Sequence, residues 1–227
     1  VYAYGLRNPF GGAWRASDGK LYEVENGPNV DRFAQVNRGE DYGWDGSNSS
    51  MQINAIYNWN PASAPINITF AQNETFAGSQ LPADMLDHAF VSQSGVTYAS
   101  GPQRTGKRIT EFALDADGSL LSGPESLIEY VGSGRFTVAA LAAGPDGLYF
   151  SSLYEDSGNA GPVAPGAKIY RVRYINPIQG DYDIDGDIDA QDFSKWLSTY
   201  NSNLLLAADG DQNGVVDQAD FSIWRSL

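Results

Sequence analysis

Residues Asp181–Asp192 read DYDIDGDIDAQD, and residues Asp209–Asp220 read DGDQNGVVDQAD. Laid over each other, they pair Asp181 with Asp209, Asp183 with Asp211, Asp185 with Asn213, Gly186 with Gly214, Asp189 with Asp217 and Asp192 with Asp220. This is the spacing of a twelve-residue calcium loop, written twice. Oxygen-bearing side chains stand at positions 1, 3, 5, 9 and 12. Position 7 (Asp187, Val215) supplies a backbone carbonyl, and glycine at position 6 allows the sharp turn. The likeness runs on past the loops, because Phe193, Ser194 and Trp196 recur as Phe221, Ser222 and Trp224. A solvated acidic run would need neither the placed glycine nor the repeated aromatics. The pattern predicts two bound calcium ions and two exit helices, over 193–200 and 221–227. Entering helices are not expected: Pro177 and Gly180 disfavour one before the first loop, and residues 204–208 offer at most a short turn before the second.

Outward from these loops the charge changes. Residues 176–227 hold ten Asp and no Glu against Lys195 and Arg225, so most of the net charge of −14 sits in this short segment. Such acidity argues for cations and against a nucleic-acid backbone as partner. No apolar run approaches the roughly 18 residues of a membrane helix, so no membrane span is expected. Cysteine is absent, which leaves the redox compartment unread. The chain opens at Val1 inside a β pattern, with neither an initiator Met nor a signal peptide, and is expected to be part of a longer protein.

The first 175 residues are rich in Gly, Pro, Asn and aromatics that punctuate short strand-like runs. Strands are expected over 10–15, 20–25, 91–99, 108–114, 127–131, 148–153 and 168–174, with a short turn near 82–88. Asp18-Gly19, Asp117-Gly118 and Asp146-Gly147 each adjoin an apolar run, the signature of a tight hairpin. An Asp-Gly turn leading to Leu-Tyr occurs within Ser17–Tyr22 and again within Gly144–Tyr149. The expected architecture is all-β, a partial β-propeller of about three to four blades, followed by a small helical module. The domains are expected at 1–175 and 181–227, joined by a linker at 176–180.

Two calcium loops, each feeding a following helix without an entering one, resemble a type I dockerin. The resemblance implies EF-hand-like ligation by Asp181, Asp183, Asp185, Asp189 and Asp192, then Asp209, Asp211, Asn213, Asp217 and Asp220. It also implies docking to a cohesin-like or cell-surface receptor. Ala190-Gln191 and Gln218-Ala219 stand at the family's partner-reading positions, without the Ser-Thr pair of well-known members.

The β region resembles the glucose/sorbosone dehydrogenase family, six-bladed propellers that bind pyrroloquinoline quinone (PQQ) and calcium. The resemblance rests on Gly5-Leu6-Arg7-Asn8-Pro9, Asp18–Tyr22, Glu25-Asn26-Gly27-Pro28-Asn29, Asp41-Tyr42-Gly43-Trp44, Gly144–Tyr149 and Lys168–Val172. It implies that Arg7 and Asn8 lie against the cofactor, with Arg7 stabilising charge that builds on it, and that Gly27 and Pro28 offer carbonyls to a further calcium. Phe10 stands where sugar-oxidising members carry a polar Gln, and Val91–Gly95 holds no Lys for a quinone carboxylate. Arg135 is the cation nearest a later arginine-bearing stretch. The general base would lie upstream of Val1, and His88 is expected to be a structural or surface histidine.

The implied protein is a bacterial, secreted or cell-surface sugar dehydrogenase (aldose or sorbosone type), tethered by its dockerin and linked to polysaccharide breakdown. The rival reading is a non-catalytic binding propeller carrying the same tether. Gly101–Arg108 narrowly misses a phosphate-binding loop, since Arg108 stands where Ser or Thr is needed, and reads as a hairpin loop. Glu155-Asp156 reads as an exposed loop rather than a catalytic pair. Sequons stand at Asn48, Asn67 and Asn73, and matter only in a eukaryotic secreted protein.

Overall fold

The structure, a computed structural model, describes residues 1–72, 81–161, 165–173 and 178–227. The chain divides into two compact units, Val1–Tyr174 and Ile175–Leu227. The Asn73 sequon, Tyr174 at the end of the last expected strand, and linker residues Asn176 and Pro177 lie outside the described residues.

The first unit is built of antiparallel meanders. The first sheet comprises β1 (Pro9–Arg15), β2 (Lys20–Glu25), β3 (Asp31–Val36) and β4 (Tyr57–Trp59), hydrogen-bonded in chain order. The second repeats that order with β5 (Pro65–Phe70), β6 (Ala89–Gln93), β7 (Arg108–Leu114) and β8 (Leu120–Glu129). The third contains β9 (Val138–Gly144), β10 (Gly147–Ser152) and β11 (Ile169–Val172). The first strand of each sheet lies beside the first strand of the next, β1 on β5 and β5 on β9, as in successive blades of a propeller-like fold.

All three Asp-Gly turns close hairpins. Gly19 takes φ +66° between the paired Arg15 and Lys20, and Asp18 Oδ1 accepts from the Lys20 amide at 2.8 Å. That left-handed conformation is why glycine follows the aspartate. The second turn closes between Leu114 and Leu120, the third between Gly144 and Gly147.

Period-two alternation places the core on both faces of the second sheet. Val91 packs with Tyr22, Val24, Phe33 and Phe112 against the first sheet. Its neighbour Phe90 packs with Ile109, Val138, Leu141 and Leu148 against the third. Strand β6 therefore occupies Ala89–Gln93 rather than 91–99, since its apolar run is drawn between two sheets. Strand β8 starts seven residues before the expected 127, at Leu120, because the Asp117-Gly118 hairpin zips it onto β7. Strands β3, β4, β5 and β9 have no counterpart among the expected strands. β3 begins with the charged pair Asp31-Arg32 and β9 is alanine-rich, so neither advertises itself by propensity. The expected turn near 82–88 is a single helical turn at Ala83–Met85.

In the second unit, α1 (Ala190–Thr199) and α2 (Gln218–Arg225) pack around Tyr182, Trp196, Ala208 and Val216. Both start three residues before the expected 193 and 221. Asp189 and Asp217 cap them, and each cap is closed reciprocally by the aspartate at the third helical position, Asp192 or Asp220. Residues 204–208 form bends and a turn.

Candidate functional site

The two acidic loops share the same five backbone-amide bonds to the aspartates at positions 1 and 12. In the first, Asp181 accepts the amides of Asp185 at 3.2 Å and Gly186 at 3.0 Å. In the second, Asp209 accepts those of Asn213 at 3.1 Å and Gly214 at 2.9 Å. Asp192 accepts from Tyr182, Asp183 and Asp189 at 2.6, 3.1 and 2.7 Å. Asp220 accepts from Gly210, Asp211 and Asp217 at 2.7, 3.1 and 2.7 Å. Gly186 and Gly214 take φ +105° and +88°, the turn that requires glycine at position 6. Positions 1 and 12 thus wrap each loop around a common centre.

Oxygens of Asp181, Asp183 and Asp185 lie within 4.8 Å of one another, as do oxygens of Asp209, Asp211 and Asp220. Within the first group, Asp183 Oδ1 is buried without a hydrogen-bond partner. Burial and then the charges of Asp185 and Asp192 push the Asp183 carboxyl up from its ordinary value, and Asp185 first of all does so for Asp187. Like charges held this close favour a bound cation. Asp187 and Val215 at position 7 are exposed. The loops are also cross-linked: Trp196 Nε1 donates to Asp217 O at 2.8 Å, and Trp224 Nε1 donates to Asp189 O at 3.0 Å. Each helix thereby anchors the other loop at position 9.

In the first unit, Arg7, Asn8, Gly27 and Pro28 come together at one end of the first sheet. Glu25 Oε2 accepts the amides of Arg7 at 2.7 Å and Asn8 at 3.3 Å. The Asn26 amide donates to Asn8 O at 3.1 Å, and the Arg7 guanidinium donates to Asn26 O while lying 5.5 Å from the centre of the Trp44 ring. Gly27 donates its amide to Asp31 Oδ1 at 2.9 Å, and Asp31 Oδ2 accepts from Ser63 and Ala64 at 2.7 and 2.8 Å. A Cβ on Gly27 would lie 1.8 Å from Val30 O, so only glycine fits there. Burial raises the Asp31 carboxyl above its ordinary value, against the pull of those three amides. Arg7, Asn8 and Pro28 are exposed and Gly27 is half-buried.

The residues that build this cluster, Glu25, Asp31 and Arg32, are not evident as functional in the sequence. Arg32 is fully buried, donating from Nε to Glu25 Oε1 at 2.5 Å and from Nη1 to Tyr42 O and Ile53 O at 2.9 and 2.6 Å. The available signal is the period of two on β2, which puts Glu23 and Glu25 on one face. His88 lies apart from the cluster, its Nδ1 2.5 Å from Glu111 Oε1 between β6 and β7.

A family model for glucose/sorbosone dehydrogenase matches residues 1–125, more than half of the chain. The chain belongs to the glucose/sorbosone dehydrogenase family. It is similar to a putative oxidoreductase (glucose dehydrogenase) of Thermus thermophilus, at 24% identity over 75% of this chain and 46% of that one, with a TM-score of 0.46. It is also similar to carbohydrate-active enzymes of family AA12 from Trichoderma reesei. The iodide structure matches at 17% identity over 70% of this chain and 52% of that one, TM-score 0.46. The calcium structure matches at 15% identity over 70% of this chain and 51% of that one, TM-score 0.43. The chain thus spans about half the length of these structures. No curated protein matches it.

The family's quinone can be tested against this chain's own residues. PQQ carries several carboxylates, and within the Arg7–Pro28 cluster Arg7 is the one exposed cation among the described residues; Arg104, also exposed, stands on the neighbouring loop that Thr105 Oγ1 ties to Ala62 O at 3.3 Å. Arg135 Nη1 donates to Ala160 O at 2.9 Å while its buried Nε has no partner, and the buried Lys107 ammonium is held by Ala99 O at 2.6 Å and Gly101 O at 3.2 Å. Glu25 and Asp31 are engaged by Arg32 and by backbone amides, so a further calcium there would rest on the Gly27 and Pro28 carbonyls. The Arg7–Pro28 cluster alone does not satisfy the quinone's carboxylates. Among the described residues no helix is long and apolar enough to cross a membrane.

Proposed function

We propose that this chain is part of a secreted glucose/sorbosone dehydrogenase-family propeller, tethered through a dockerin-type module ordered by two calcium ions. The observation that carries the tether is the repetition in both loops of five amide bonds to the aspartates at positions 1 and 12, around clustered carboxylates, one oxygen of which is buried without a partner. The ligands are Asp181, Asp183, Asp185, Asp189 and Asp192 with the Asp187 carbonyl, then Asp209, Asp211, Asn213, Asp217 and Asp220 with the Val215 carbonyl. The receptor is cohesin-like or on a cell surface, and the setting is extracellular carbohydrate breakdown.

For the propeller, family membership supports PQQ-dependent oxidation of a sugar by the longer protein, with Arg7 and Asn8 against the cofactor and Gly27 and Pro28 at its calcium. One observation favours a second reading, a non-catalytic binding propeller: among the described residues the Arg7–Pro28 cluster holds one exposed guanidinium, whereas the quinone has several carboxylates.

Calorimetric titration of calcium into the chelator-treated chain tests the tether. Two ions per chain should bind, with a gain of hydrogen-exchange protection across residues 178–227, because a site of this kind forms as metal binds. The double variant Asp181→Ala, Asp209→Ala should lose both. Equal protection in chelator and in calcium would overturn the reading.

A further inference from the structure

A cleft of about 200 Å³ opens between the end of β4 and the β7–β8 pair, sharing with the Arg7–Pro28 cluster Ser63, whose amide donates to Asp31. It is smaller than the roughly 300–1,000 Å³ of pockets for drug-sized ligands and suits a single sugar ring. One wall is aromatic, with Tyr57 and Trp59 meeting edge to face at 5.2 Å and 82°. Gln93, only 2% exposed, donates to Thr110 Oγ1 at 2.6 Å, which leaves its own carbonyl oxygen as an acceptor toward the cleft. The Tyr57 hydroxyl makes no hydrogen bond among the described residues.

The loop that narrowly misses a phosphate-binding motif lies along the mouth of this cleft. Arg108 Nε donates to Gly106 O at 3.2 Å, and Nη2 to Gln103 O and Arg104 O at 3.2 and 3.0 Å. Its Nη1 lies 2.9 Å from Glu129. Arg108 is thus consumed in shaping the loop, and the loop presents Arg104. That guanidinium is exposed and has no acceptor among the described residues, in a chain with 28 acidic and only 14 basic side chains.

We propose that this cleft binds one anionic pyranose, its ring beside Tyr57 and its carboxylate or phosphate on Arg104. Aromatic edges and faces suit the C–H surface of a sugar ring, and the Gln93 carbonyl and Tyr57 hydroxyl suit its hydroxyls. The guanidinium fork matches a carboxylate or a phosphate with two parallel bonds. A neutral sugar leaves the fork unused, and a bare anion leaves the aromatic wall unused.

Titrations of the full chain with glucuronate, glucose 6-phosphate, glucose and inorganic phosphate test this. One or both acidic sugars should bind at least tenfold more tightly than glucose or inorganic phosphate, and the tighter of the two identifies the anionic group. Arg104→Gln should weaken that binding roughly tenfold or more, the size of a lost charge-assisted hydrogen bond. Arg104→Lys, which keeps the charge without the fork, should fall between. The proposal is overturned if neither acidic sugar saturates the chain, if glucose or inorganic phosphate binds as well, or if Arg104→Gln leaves affinity unchanged. Arg104 is exposed, so its variants should fold, and none of these readouts depends on calcium in the C-terminal loops or on a quinone.

Discussion

Replacing Glu23 by Gln should flatten the pH dependence of the first unit's stability. Glu23 lies on β2, 5% exposed, in the wall of a small cavity formed with Leu6, Phe10, Leu21 and Val36, and neither carboxylate oxygen has a hydrogen-bond partner. Burial first, and then the neighbouring Glu25, push its carboxyl from 4.5 up to about 8, with buried Arg32 pulling the other way. Below pH 4.5 the folded and unfolded chains both hold this proton. Between 4.5 and about 8 the folded chain keeps it and the unfolded chain loses it, so stability falls as pH rises through that window. At 1.36 kcal/mol per unit, the shift corresponds to about 5 kcal/mol lost across it. Gln fills nearly the same volume and does not titrate. Urea denaturation of both proteins in saturating calcium, at intervals from pH 5 to roughly 8.5, gives the difference in unfolding free energy at each pH. That difference should grow in favour of Gln by up to about 1.4 kcal/mol per pH unit, one proton's worth. Parallel curves for the two proteins would refute the reasoning.

Arg32→Met should cost about 3–5 kcal/mol, seen as a lower thermal midpoint, because it leaves the fully buried Glu25 carboxylate without its cation. The same change should loosen the Arg7–Asn8 turn that Glu25 holds, raising amide exchange at both residues; exchange rates equal to those of the parent chain would argue against that role. Equilibrium dialysis with PQQ and calcium should show no saturable uptake by these 227 residues. Uptake that Arg7→Ala abolishes would reverse that expectation and restore the quinone site to this chain.

The spacing of ten aspartates and two glycines makes the calcium loops legible in the sequence, because a ligand loop is local: every group that shapes it lies within twelve residues. The Asp-Gly hairpins are legible for the same reason. The helices start three residues earlier than their aromatic repeat suggests, because the ligating aspartates double as caps. That double duty emerges only once each loop closes on itself. Strand β3 is hidden behind Asp31 and Arg32, which look like solvent-exposed charges in the sequence. Folding brings the Glu25 carboxylate and the Tyr42 and Ile53 carbonyls around Arg32, and the Gly27, Ser63 and Ala64 amides around Asp31.

By itself, then, the sequence determined the β-meander character of residues 1–175, the paired acidic loops and the family likeness carried by Arg7-Asn8 and Gly27-Pro28. Tertiary structure alone decided that Lys107 and Arg108 are spent on backbone carbonyls and Glu129, while Arg7 and Arg104 stay exposed. A charge's availability depends on which acceptors the fold brings within about 3 Å of it, and those acceptors come from distant parts of the chain.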